Sequence, residues 1–195
     1  MNTSLLFKNN PIFETSRLVL RKLEVQDATE YFDILSDPET IRHTRWGLSQ
    51  EVKDTITYLE YLEQKYQLKQ AYHWGVVDKE SQKLIGRVAF ISFDKENDRT
   101  EIGYVISRLY WNKGLITEAA KELIDYGFNE LEVNRIEAKC NEDNLGSERV
   151  MQKIGMKLEG ILREQLKMNG KYHNQKMYSL IKSDCKQIDE DSSFR

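Results

Sequence analysis

Residues 101–119 read EIGYVISRLYWNKGLITEA, and a change of pattern within them decides the fold class. Side chains alternate between apolar and other types from Thr100 to Ile106, as they do in a strand with one buried face. After a short connection, apolar residues recur at helical spacing from Leu115 to about Glu130. The stretch is therefore predicted to run from a strand through a tight loop into a helix.

The start of this helix is a candidate anion site. Its first backbone N–H groups have no partner within the helix, and the helix dipole adds positive potential there. Gly114 lets a ligand approach the backbone closely, and Lys113 adds a cation, so a phosphate or pyrophosphate would fit. An ordinary helix start with a glycine explains the same residues equally well. The chain contains neither the G-x-x-x-x-G-K-[ST] phosphate loop nor the G-x-G-x-x-G dinucleotide motif.

The flanking sequence predicts a mixed α/β arrangement rather than a strict alternation of strand and helix. Asp27 and Glu30 have the spacing of a capping box, while Ser49 and Asn144 are candidate caps of later helices. Asn169-Gly170 is a hairpin-turn signal. Strands are predicted at about 18–21, 72–77, 84–93, 100–106, 135–140, 157–168 and 171–181, and helices at about 28–35, 52–66, 115–130 and 145–154.

Composition limits the functional classes. The net charge is −3 with interleaved signs, so no basic stripe indicates direct nucleic-acid binding. No apolar run approaches the roughly 18 residues of a membrane helix, and residues 1–10 lack a secretory signal. Neither the two cysteines nor the three histidines have metal-ligand spacing, so no metal is expected. We expect a cytoplasmic protein with a single domain over 1–183 and a polar tail over 184–195.

Short motifs follow one another in a characteristic order along residues 15–181. They are TSRLVLR at 15–21, SDPE at 36–39, IG at 85–86, EIGYVI at 101–106, YWNKGLITEA at 110–119, N-x-x-S at 144–147, KIGM at 153–156 and GKYH at 170–173. In this order and spacing they resemble the GNAT superfamily of acyl-CoA N-acetyltransferases. The nearest resemblance is to its Rim-type branch, which acetylates the N-termini of ribosomal proteins and other amines.

The resemblance implies a fold and a set of site residues. The fold would be α/β (α+β), with a mixed, mostly antiparallel sheet and helices on both faces. Glu101 would be the catalytic base, and the main chain of a strand and a loop would hold pantetheine and pyrophosphate. The implied residues for binding acetyl-CoA are Tyr104, Val105, Ile106, Asn112, Lys113, Gly114, Leu115, Ile116, Thr117, Asn144 and Ser147.

The sequence departs from the superfamily pattern at three positions. Trp111 and Ile116 occupy the two ends of the phosphate-loop motif, and Ile116 is expected to narrow the space beside the phosphates. Met151 stands where many relatives have a tyrosine that protonates the leaving thiolate. The acid is then Ser147, a tyrosine elsewhere or a water molecule, or the reaction needs no acid.

The predicted function is direct transfer of acetyl from acetyl-CoA to a primary amine in a ternary complex. An N–H near Val105 could stabilise the oxyanion. An α-amine, with a pKa of about 8 against about 10.4 for lysine, demands less of the base, which favours a protein N-terminus such as that of a ribosomal protein. The alternatives are a polyamine, amino acid or antibiotic acceptor, and a CoA-binding sensor without catalysis. No membrane partner is expected, and a homodimer is among the assemblies considered.

Overall fold

The computed structural model describes residues 1–184, which form one sheet flanked by helices. The strands are β1 (Phe13–Glu14), β2 (Leu18–Lys22), β3 (Tyr72–Asp78), β4 (Leu84–Asp94), β5 (Arg99–Ile106), β6 (Arg135–Asn141), β7 (Lys157–Met168) and β8 (Lys171–Ile181). The helices are α1 (Ser4–Asn9), α2 (Ala28–Leu35), α3 (Pro38–Ile41), α4 (Val52–Gln67), α5 (Leu115–Asn129) and α6 (Leu145–Lys153). The strand order is β1-β2-β3-β4-β5-β6-β8-β7, with antiparallel neighbours except for the parallel pair β5 and β6.

Helices cover both faces of the sheet. On one face, a core that includes Trp74, Leu123 and Met151 lies between the sheet and helices α5 and α6. On the other face, a second core that includes Leu59 and Val105 lies between the sheet and helices α2 and α4. The predicted mixed, mostly antiparallel sheet with helices on both faces is therefore confirmed.

Strands β5 and β6 separate after three paired positions. The pairs that join them among the described residues are Arg99 with Arg135, Thr100 with Ile136, and Glu101 with Glu137. Beyond these pairs β5 continues to Ile106 and β6 to Asn141. The sheet thus has a wedge-shaped opening along the second half of β5, which we call the strand opening.

The hairpin and main-helix predictions are confirmed. Strands β7 and β8 have the predicted bounds, and the turn residues Asn169 and Gly170 have φ of 50° and 77°, as a tight hairpin turn requires. Helix α5 begins at the predicted Leu115. Strand β1 and helix α1 were not predicted from the sequence, because two extended residues and six helical ones give too little periodic pattern.

Two predicted caps are wrong because other partners occupy the side chains. Asp27 accepts the backbone N–H of Glu24 in a capping box one turn earlier, and Glu30 accepts the N–H of Leu84 at 2.7 Å. Ser49 accepts a hydrogen bond from Thr55, and Glu51 caps helix α4 instead. Of the predicted tail, residues 185–195 lie outside the described part of the chain.

Candidate active site

The loop before helix α5 has the backbone form that an anion site requires. Gly114 has φ of 75° and Asn112 has φ of 61°, both in the left-handed region. The first hydrogen bond of the helix runs from Glu118 N–H to the Gly114 carbonyl. The N–H groups of residues 115–117 precede it, so they have no acceptor within the helix. These donors fit the phosphates of a nucleotide such as CoA.

The two unusual motif residues both have structural roles at this loop. The Trp111 indole N–H donates to the Ile106 carbonyl at 2.9 Å, which ties the loop to the end of β5. Ile116 is 5% exposed and belongs to the core, so the prediction that it narrows the phosphate space is wrong. Its side chain points away from the N–H donors because the helix packs that face on the sheet.

Arg17 is a site residue that sequence reasoning missed, although it lies in the TSRLVLR motif. Its Nη1 donates to the Lys113 carbonyl at 2.9 Å, and its Nη2 forms an ion pair with Glu118 at 2.6 Å. Thr15 also donates to Glu118. Arg17 therefore fixes the loop on one side and adds a half-exposed cation beside it.

The main chain of β5 presents groups to the strand opening. Ser107 N–H donates to the Ile85 carbonyl of β4, and the ladder alternates, so Val105 also directs its main-chain groups to β4. Tyr104 and Ile106 direct theirs to the opening. Two of the three predicted pantetheine-binding residues thus have the required orientation, whereas the prediction for the main chain of Val105 is wrong.

Helix α6 borders the opening on the other side. Asn144 caps it by accepting Ser147 N–H at 3.1 Å, so the amide NH2 of Asn144 is the group that can donate to a ligand. The Tyr104 hydroxyl lies 2.9 Å from Ser147 Oγ. Burial raises the pKa of the Tyr104 hydroxyl, so it carries its proton at neutral pH. Met151 is fully buried and offers no proton.

Glu101 lies at the closed end of the strand opening. Its Oε2 accepts from Lys139 Nζ of β6 at 2.7 Å, and each side chain is about one-fifth exposed. Both line a cavity of about 200 Å3 together with Arg99 and Glu137. Lys139 was not predicted, because only the register of β5 and β6 brings it to Glu101. It occupies one carboxylate oxygen and leaves Oε1 for an amine or a water.

Neither a metal-binding cluster nor a membrane-spanning helix is found among the described residues. Residues 1–184 contain no group of three or more side chains arranged to hold a metal ion. No helix in the same range is long and apolar enough to cross a bilayer.

Comparison with known proteins agrees with this geometry. The chain matches the model of the acetyltransferase (GNAT) domain over residues 17–157. It is 36% identical over 168 residues to the uncharacterised N-acetyltransferase p20 of Bacillus licheniformis, covering 86% of this chain and 94% of p20. It is 33% identical over 172 residues to the uncharacterised N-acetyltransferase YoaA of Bacillus subtilis, covering 88% of this chain and 97% of YoaA.

A solved structure shares the architecture. A GNAT-family acetyltransferase from Bacillus anthracis superposes with a TM-score of 0.78 at 28% identity, over 89% of this chain and 99% of that one. The fold, the strand opening and these relatives define an N-acetyltransferase. The chain belongs to the GNAT family.

Proposed function

We propose that this protein transfers the acetyl group of acetyl-CoA to a primary amine by direct attack within a ternary complex. The observation that carries the proposal is the strand opening. It leads to the start of α5, where the N–H groups of residues 115–117 have no acceptor within the helix. A pantetheine arm has amide groups that match the main chain of Tyr104 and Ile106. A structure of MccE, of similar fold, is described in complex with acetyl-CoA and AMP. We also propose that residues 1–183 form a single acetyltransferase domain.

The side chains of the site divide the proton transfers between them. Glu101 Oε1 takes a proton from the amine, directly or through a water, because Lys139 holds Oε2. The amine nitrogen then bonds to the thioester carbonyl carbon while the N–H of Tyr104 or Ile106 stabilises charge on its oxygen. As the carbon–sulfur bond breaks, the nitrogen releases its remaining surplus proton to water, and the thiolate takes a proton from the paired hydroxyls of Tyr104 and Ser147, which solvent restores.

The acceptor in this proposal is an α-amine. Such an amine has a pKa of about 8, so it demands less of a weak base such as the Glu101 carboxylate than a lysine would. A protein N-terminus is the first candidate, supported by the likeness in fold to RimL, described as a ribosomal L7/L12 alpha-N-protein acetyltransferase. A small-molecule amine is the second, since one relative at 28% identity is spermidine N(1)-acetyltransferase of Escherichia coli.

Binding and turnover test the proposal separately. We expect calorimetry to give saturable binding of acetyl-CoA, and thiol release to require an added amine. Initial rates at varied acetyl-CoA and amine should give intersecting double-reciprocal lines, as a ternary complex demands. Parallel lines would instead indicate an acetylated enzyme.

Two outcomes would reject the proposed function. A folded protein without measurable acetyl-CoA binding would exclude both the enzyme and the sensor. Binding without turnover, across N-terminal peptides, amino acids and polyamines, would leave only the non-catalytic sensor that Met151 suggested.

A further inference from the structure

Arg87 is a buried cation that has no counter-ion among residues 1–184. It lies on β4, 3% exposed, on the sheet face that packs against α2 and α4. Its Nη1 donates to the Tyr58 hydroxyl at 2.8 Å, and its Nε has no hydrogen-bond partner among residues 1–184. None of the ion pairs described for these residues includes it. A buried guanidinium in this state is unfavourable unless an anion joins it.

Several buried polar side-chain atoms around Arg87 have no hydrogen-bond partner among the described residues. The guanidinium lies 4.8 Å from the ring centre of Trp46 and 5.8 Å from that of Tyr58, and the faces of these rings stabilise the charge without using its N–H groups. The Trp46 indole N–H is itself buried without a partner. The Tyr31 hydroxyl and His73 Nδ1 are in the same state. Oxygen atoms of an anion would satisfy these groups together.

The register places Arg87 beside the reaction centre. It pairs with Val105 of β5, the strand that borders the strand opening. Glu101 lies four residues before Val105, roughly 13 Å along the strand at about 3.3 Å per residue, a distance that the Arg87 and Glu101 side chains and a small acceptor between them can span. Glu101 occupies the same face as Val105, three residues before Tyr104. An acceptor on this face would meet the base and Arg87 at once.

The loop that bears Trp46 joins this face to the donor side. His43 Nδ1 lies 3.6 Å from Asp143, just before the cap of α6. The loop therefore extends from the region of Arg87 to the strand opening, and Trp46 is partly exposed on it. The loop thus connects the sheet face that carries Arg87 with the start of α6.

We propose that Arg87 binds an anionic group, a carboxylate or a phosphate, that the acceptor carries within a few bonds of its amine. The proposal rests on the proposed acetyltransferase function and narrows its acceptors to primary amines with an anionic group close by, in an amino acid, an amino phosphate or a peptide with an acidic group near its N-terminus. A polyamine would bring a second cation against the buried guanidinium, which opposes binding.

Matched pairs of acceptors test this directly with the full chain. Each amino acid is compared with its decarboxylated amine, for example serine with ethanolamine, and O-phosphoethanolamine forms the phosphate arm. We expect kcat/KM for at least one acid to exceed that for its neutral analogue by about 30-fold or more, as for a buried ion pair. Arg87→Met should abolish that ratio, whereas Arg42→Met, at an exposed arginine on the same loop, should preserve it.

A binding measurement keeps the test independent of catalysis. Without ligand, Arg87→Met should melt at or above the wild-type temperature, because an apolar side chain replaces an unpaired charge. The preferred acid should raise the melting temperature of the wild type and leave that of the variant unchanged. If Arg87→Met does not fold, Arg87→Lys, which keeps the charge without the planar fork, should show a reduced ratio.

The results that overturn the proposal differ from those that reject the proposed function. Turnover with no preference for acids, or with a preference that Arg87→Met retains, overturns the role of Arg87 alone. So does a best substrate that is a polyamine or a peptide without an acidic group near its N-terminus. Failure to bind acetyl-CoA, or to release thiol with any amine, instead rejects the acetyltransferase itself.

Discussion

The donor side of the active site consists mainly of backbone groups, whereas the proposed acceptor side consists mainly of side chains. On the donor side, the loop at 112–117 and the main chain of Tyr104 and Ile106 offer backbone groups to a ligand. On the acceptor side, side chains such as Arg87, Tyr58 and Trp46 converge from β4, α4 and a loop. The donor groups just named lie within residues 104–117, whereas Trp46, Tyr58 and Arg87 are separated by 12 and 29 residues.

This difference explains which amino-acid substitutions each side of the site tolerates. A backbone site keeps its donors when side chains change, which is why Trp111 and Ile116 can replace the usual motif residues. A side-chain site loses its chemistry with one substitution. The donor should therefore be common to the family, and the acceptor should be a property of the individual sequence.

In the proposed reaction Glu101 acts where the amine meets the thioester, so the loss of its carboxylate should have the largest effect on turnover. We expect Glu101→Gln to lower kcat by about 100-fold or more, since a general base contributes about 10²–10⁴, with little change in acetyl-CoA affinity. Glu137→Gln, in the same cavity, should leave kcat nearly unchanged. Steady-state kinetics and calorimetry measure the two quantities. Equal losses of kcat in both variants would show that catalysis depends on the negative charge in the cavity rather than on a general base.

Gly114 tests whether the donor side depends on backbone form. Its φ of 75° costs a non-glycine residue about 1–2 kcal/mol, so Gly114→Ala should lower the melting temperature. We also expect the Kd for acetyl-CoA to rise about tenfold as loop N–H groups lose alignment. Gly170→Ala is the matched control, because φ is 77° there but the turn lies in the β7–β8 hairpin. Weakened acetyl-CoA binding in the control as well would make the effect one of stability.

The paired hydroxyls test how the donor side manages without a tyrosine at 151. Tyr104→Phe and Ser147→Ala should each lower kcat about tenfold, with the acceptor KM unchanged, because each removes one part of the proton path. The double variant should lose less than the product of the single losses. Unchanged kcat in both single variants would assign thiolate protonation to solvent.

The smallest expected effect concerns the ion pair that holds the phosphate loop. Burial raises the pKa of Glu118, but hydrogen bonds from Thr15 and Arg17 outweigh it and hold the pKa below its ordinary 4.5. The depressed pKa adds stability above pH 4.5, and this stability is lost as the pH falls through the folded-state pKa. Glu118→Gln should thus have a slightly lower melting temperature than the wild type at pH 7. The free energy of unfolding should fall by about 1 kcal/mol or less. Melting curves from pH 7 to 3 should converge at the acid end, and those of Glu80→Gln should match the wild type throughout.

The sequence was most informative where the chain is locally regular. Alternation predicted β5, the helical spacing from Leu115 predicted α5, and Asn169-Gly170 predicted the hairpin. The Asn144 cap was also predicted correctly, because its partner is three residues away. Asp27 and Ser49 had the right residue types for caps, yet partners from other elements took their side chains.

The sequence by itself determined the family, the elements around the donor site and the base candidate, since each depends on residues close together along the chain. Only the tertiary structure decided which main-chain groups of β5 face the strand opening, that Lys139 holds Glu101, and that Arg87 is buried without a carboxylate. These facts depend on strand register and on packing between distant segments, and no local pattern records either.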